Sequence, residues 1–110
     1  MRNSQFINCT PHPITLLGAG DAILFTLPRG ETVPRLSQST NQVGSIAGVS
    51  ITETSFGETQ NLPSPQEGIF LIVSRLVMAA NPDRADLLVP NELVRNDDGH
   101  IVGCRSLARN

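Results

Sequence analysis

This chain contains no lysine, no tryptophan and no tyrosine. Four phenylalanines are its only aromatic residues. They are too few for a platform on which single-stranded nucleic acid stacks base after base. All eight basic residues are arginine, against ten acids, for a net charge of −2. No basic surface is expected, and neither DNA nor RNA is an expected partner. No apolar run approaches the ~20 residues that span a bilayer, so no membrane segment is expected. The opening MRNSQFINCT lacks the apolar core of a secretory signal, and a cytoplasmic protein is expected. Cysteine is scarce too. Cys9 and Cys104 stand alone with no C-x-x-C spacing, and His12 and His100 lie far apart. Free thiols are therefore expected, with no metal and no other cofactor.

An arginine-only basic set is what a GC-rich genome produces. It also suits phosphate and carboxylate recognition, because the planar guanidinium presents paired donors. At 110 residues the chain is expected to fold as one domain, 1–110. Residues 4–8 read as a short strand. ITLL (14–17), the turn GAGD (18–21) and AILFTLP (22–28) read as a β-hairpin. VPRLSQ (33–38) is a further short extended piece. The polar, glycine-containing 37–48 reads as a long loop or flap. GVSITETSF (48–56) alternates like an edge strand, and 57–68 reads as a second loop.

GIFLIVS (68–74) carries five consecutive apolar residues, which predicts cover on both faces. Ser74 is placed to cap a short helix over RLVMAANP, ended by Pro82. DLLVP (86–90) reads as a strand, and 92–107 as a hairpin about NDDG. The predicted class is α+β: a small, mainly antiparallel sheet with one short helix, about residues 74–81. Strand edges in so small a chain need protection, and pairing them across a symmetry axis makes a homo-oligomer the expected state.

Four groups of residues suggest chemistry. Asn8-Cys9-Thr10-Pro11-His12-Pro13 is stiffened by two prolines, each of which also restricts the residue before it. Such a corner holds Asn8, Thr10 and His12 for a ligand at little ordering cost; equally, it satisfies loop backbone and leaves His12 on the surface. Ser74 and Arg75 at the helix start suit an anion, or are an ordinary cap and a solvated arginine. Arg84 and Asp86 form either a local ion pair or a cation–acceptor pair lining a cleft. Arg95, Cys104 and Arg105 lie on the terminal hairpin, where alternation sends Cys104 and Arg105 to opposite faces. No nucleophile–base spacing marks an enzyme, although His12 would suit one half of an acid–base pair.

The pattern N-x-TPHP-[IV], LPxPxxGxxxIVSxLV, PxRxDLLVP and VRxxxGxIxGCRxL resembles a family of small proteins from tailed bacteriophages and actinobacteria. Asn8, Thr10 to Pro13, Leu62 to Pro65, Gly68, Ile72 to Ser74, Pro82 to Pro90, Val94, Arg95 and Gly99 to Arg105 carry it. Residues 29–56 do not take part. A phage origin implies a compact homo-oligomer that counters host defence in the bacterial cytoplasm. The expected function is capture of a nucleotide-like anionic small molecule, a sponge for an immune signal. Its ligand groups would be Asn8, Thr10, His12, Ser74, Arg75, Arg84, Asp86, Arg95 and Arg105. The alternatives are cleavage of such a nucleotide, with His12 as acid or base, and inhibition of a host defence protein by direct binding.

Overall fold

The structure, a computed structural model, describes residues 5–110. Its elements in chain order are β1 (Gln5–Asn8), β2 (Ile14–Leu17), a 3₁₀ turn (Ala19–Asp21), β3 (Ile23–Leu27), β4 (Arg35–Ile46), β5 (Val49–Gln60), β6 (Ile69–Ile72), α1 (Arg75–Ala80), β7 (Leu87–Arg95) and β8 (Ile101–Ala108). Ser4, the expected first residue of β1, lies outside the described residues. The described part is mostly strand, with the single short α-helix where the capping signal put it.

Six strands form one sheet in the order β1-β6-β7-β8-β2-β3, and β4 and β5 form a separate pair. The main sheet, expected to be mainly antiparallel, is mixed. β1–β6, β6–β7 and β2–β8 are parallel, while β2–β3 and β7–β8 are antiparallel. The helix accounts for one of the three parallel pairs. Parallel neighbours need a long crossover, and β6-α1-β7 is such a unit, with Leu71 opposite Leu87 and Ile72 opposite Leu88.

The sheet coils until its two edge strands meet. Phe6 on β1 stacks on Phe25 on β3 with ring centroids 6.2 Å apart. This curl gives the sheet an inside and an outside, each with its own apolar cluster. Inside, Ile14, Leu16, Ile72 and Cys104 pack with Phe6, Leu27, Leu88 and Leu107. Outside, Leu71, Val73, Leu87 and Val89 pack under Val77 and Met78 of α1. Strand alternation sorts neighbours between the two: Leu71 faces out and Ile72 in, Leu87 out and Leu88 in. Cover on both faces of β6 is thus met by the helix on one side and the coiled sheet on the other.

The stretch 37–48, expected as a loop or flap, is strand instead. With β5 it makes a hairpin of twelve residues per strand. The loop expected from residue 57 begins only after Gln60. Ala47 and Gly48, both at positive φ (50° and 81°), make the tight turn whose twist suits a hairpin. Hydroxyls pair across it, Ser39 with Ser55 and Thr40 with Thr54, each at 3.3 Å. Almost every residue of this arm is exposed. The radius of gyration is 17.3 Å, against about 13 Å for a compact chain of this length. The arm therefore projects. At its base the Asn81 Nδ2 donates to Thr59 Oγ1 (2.9 Å) and to the Val77 carbonyl (2.8 Å), tying arm to helix.

Leu87 is wholly buried and Ile46, on the arm, is 69% exposed. Leu87→Ala is expected to lower stability by about 2–5 kcal/mol. Ile46→Ala should stay within about 0.5 kcal/mol. Urea denaturation of the two variants, followed by far-UV dichroism, checks both values.

Candidate functional site

The proline corner between β1 and β2 is built on one side chain. The Asn8 carboxamide donates to the carbonyls of His12 (2.8 Å) and Pro28 (2.9 Å). Its Oδ1 accepts from the Thr10 N–H (2.9 Å) and lies 2.7 Å from the Thr10 hydroxyl. That hydroxyl is also 3.0 Å from the His12 carbonyl and shares its single proton between the two acceptors. Asn8 is buried, and both its N–H groups and both its lone pairs are engaged within the protein. Gly30 closes the corner from the far side, its N–H donating to the Thr10 carbonyl at 2.8 Å. A Cβ at Gly30 would collide with the Asn8 carbonyl, so the close approach requires glycine.

An open cleft of about 700 Å³ lies beside this corner. Thr10, His12, Ser74 and Arg75 line it, joined by Val73, Val89, Leu93 and Val102. Its lining is mostly apolar, with polar groups at the corner, at the helix start and at Thr15 on β2. His12 is exposed there, while its own carbonyl is held by Asn8. Arg75 is exposed and uses one N–H on the Pro90 carbonyl at 3.3 Å, leaving the rest of its five donors free to meet a ligand. Ser74 caps α1, its Oγ accepting the Val77 N–H at 3.2 Å. Its carbonyl takes the Met78 N–H at 3.0 Å. The helix is only six residues long, so the guanidinium is the main positive element on the rim.

Of the remaining expected residues, Cys104 borders the cleft, whereas Arg84, Asp86, Arg95 and Arg105 lie away from its lining. Arg84 and Asp86 grip each other with two bonds of 2.8 Å, and Arg84 Nη2 also donates to the Pro63 carbonyl at 2.8 Å. That pair clamps the turn after α1 to the loop after β5. Arg95 donates to the Gly99 carbonyl at 2.7 Å, bracing the β7–β8 turn. Arg105 pairs with Asp21 through bonds of 2.7 and 3.0 Å, linking β8 to the turn after β2. Cys104 is buried between strands, its thiol 3.8 Å from the Thr15 carbonyl. Cys9 and Cys104 are both free and fall in different apolar clusters. Burial pushes both thiols up from their ordinary range, which makes them poor nucleophiles. Among the described residues, no three of histidine, cysteine, aspartate and glutamate gather where an ion could sit. No described helix is long and apolar enough to cross a membrane.

Sequence reasoning missed the apolar half of the cleft. Val89 and Leu93 on β7 and Val102 on β8 follow strand alternation. Their convergence on the proline corner depends on the β2–β8 pairing, which no local signal announces. No family model, curated protein or solved structure matches the chain.

The Arg84 guanidinium holds the Asp86 carboxyl below its ordinary value, chiefly through their hydrogen bonds. A folded-state value below the unfolded one means stabilisation that is fully present above the unfolded value of about 3.9. It is lost as pH falls from there through the folded value. Asp86→Asn should therefore cost about 1–3 kcal/mol near neutrality, the scale of hydrogen bonds to a charged group. Its difference in Tm from the parent should shrink between pH 5 and pH 2. Thermal melts of both proteins across that range check the sign.

Proposed function

We propose that the protein captures a nucleotide-like anion in the cleft beside the proline corner and holds it without turnover. One observation carries this reading: Thr10 and His12 from the start of the chain and Ser74 and Arg75 from its later half line the same cleft of about 700 Å³. Small-molecule sites commonly have volumes of ~300–1,000 Å³, apolar walls and a few convergent polar groups. The exposed Leu93, Ile101 and Val102 side chains, backed by the buried Val73 and Val89, suit a nucleobase or another flat apolar body. The Arg75 guanidinium and the His12 imidazole at the rim suit phosphate or carboxylate oxygens. Thr10 and Ser74 keep hydroxyl lone pairs for ribose or amino donors. Asn8 serves this site indirectly, by shaping the corner. The resemblance of TPHP, PDRADLLVP and the terminal hairpin to phage proteins supports a role as a sponge for a host immune signal, in the bacterial cytoplasm.

Calorimetric titration with cyclic dinucleotides and ADP-ribose-type nucleotides tests the reading. At least one should bind, and Arg75→Ala should weaken it about 10–100-fold, the equivalent of one charge-assisted hydrogen bond. Arg84→Ala, outside the lining, should leave affinity unchanged. Ligand released by denaturation after long incubation should be chemically intact. Heat from no member of the panel would overturn the proposal. New products after incubation would instead make the protein an enzyme, with His12 the first acid–base candidate. A host protein retained in place of any small molecule would make it a protein-directed inhibitor.

A further inference from the structure

We infer that the β4–β5 arm is an oligomerisation element, and that β5 pairs antiparallel with β5 of a second copy of this chain. Among the described residues, neither arm strand has any sheet partner but the other. A two-stranded ribbon is at best marginally stable in water, whereas three or more strands sustain a sheet. Two arms side by side make four.

The two edges of the arm differ. β4 is interrupted at Val43, where its pairing steps from Gln42 opposite Thr52 to Gly44 opposite Ile51. A bulge of this kind blunts an edge against further pairing. β5 has its own irregularity only near the base, past Phe56. From Val49 to Phe56 it is regular and free of proline and lysine, the usual devices that protect an exposed edge.

Charge decides the partner. From Leu36 to Thr52 the arm carries no ionisable side chain, and Glu53 is the only one between Leu36 and Gly57. A surface that recognises a differently charged protein would present charge to it. An uncharged edge meets its own copy without repulsion. Alternation also selects the register. In antiparallel pairing about a two-fold axis normal to the sheet, opposed residues must share a face, so a residue faces its own copy at the axis. Centring on Glu53 would oppose two carboxylates. Centring on Thr52 sets Glu53 against Ile51 and keeps Gly48 to Phe56 paired. That overlap spans about 30 Å. It buries on the order of 1,000 Å² in total, near the lower limit of a specific interface. It also sets Val49, 62% exposed in a single copy, against Ser55 of the second copy, and Ile51, 39% exposed, against Glu53, so that new cross-strand neighbours on one face cover both.

This inference is independent of the cleft, which contains no arm residue. Sedimentation velocity and native mass spectrometry over a dilution series test it on the full chain. The parent should reach twice its 11.8 kDa mass. Thr52→Glu and Thr52→Lys should each raise the dimer dissociation constant several-fold, because each opposes like charges at the axis. Mixed in equal amounts, the two variants should form a heterodimer at least as tight as the parent. Neither substitution touches the core, so far-UV spectra should match. A parent that stays at single-chain mass at 100-fold dilution steps up to the millimolar range would overturn the inference. So would variants that dimerise as tightly as the parent, or a mixture that shows no heterodimer preference.

Discussion

A single buried carboxamide organises the part of this protein where function is placed. Asn8 ends β1, yet its side chain reaches forward to the His12 carbonyl and across to the Pro28 carbonyl beyond β3. It thereby joins one edge of the coiled sheet to the turn before β2 and to the exit of the other edge. The Phe6–Phe25 stack closes the same seam with apolar surface. Without those bonds two prolines would still stiffen the corner, but nothing would fix its direction relative to the sheet. Such a network resists change because each lost partner leaves a buried polar group unpaired.

From that seam the rest of the geometry follows. The β6-α1-β7 crossover sets Ser74 and Arg75 at the end of a strand two places from β8 in the sheet. The β2–β8 pairing brings Leu16 opposite Cys104 and so draws the terminal hairpin toward the corner. The cleft is the gap left between these pieces. Its polar rim comes from loops and a helix cap, and its floor from strand residues whose other neighbours form the core. The distant ion pairs, Arg84 with Asp86 and Arg105 with Asp21, hold connecting turns in place around that frame.

Much of this was legible residue by residue. The apolar run at 69–73 declared a strand covered on both faces, Ser74 declared a cap, and Asn96 to Gly99 declared a hairpin turn. The parallel β6–β7 pair is implied by the helix between those strands, which makes a crossover; the parallel β1–β6 and β2–β8 pairs join distant segments and have no such local signal. The arm was legible only in part: the alternation of GVSITETSF announced most of β5, whereas the stretch from 37 to 46 did not read as strand. Hydrophobic periodicity reports burial, and a polar strand bathed by solvent on both faces has little to report. Its Ser, Thr and Gln residues pair with one another across the ribbon and look like loop in one dimension. Of the site, the stiff corner and the Ser74-Arg75 step stood out through proline and capping chemistry. Arg105 could not be assigned from its neighbours, because its partner Asp21 lies at the other end of the chain.

Amide hydrogen exchange at Thr10 and Gly30, measured in the parent and in Asn8→Ala beside urea denaturation, reaches the carboxamide network most directly. Four hydrogen bonds at ~0.5–1.5 kcal/mol each predict a loss of about 2–6 kcal/mol. Protection at both amides should collapse in the variant, while amides of β7 and β8 far from the corner slow or quicken only with global stability. An Asn8→Ala protein with unchanged denaturation midpoint and protected Thr10 and Gly30 amides would contradict the account.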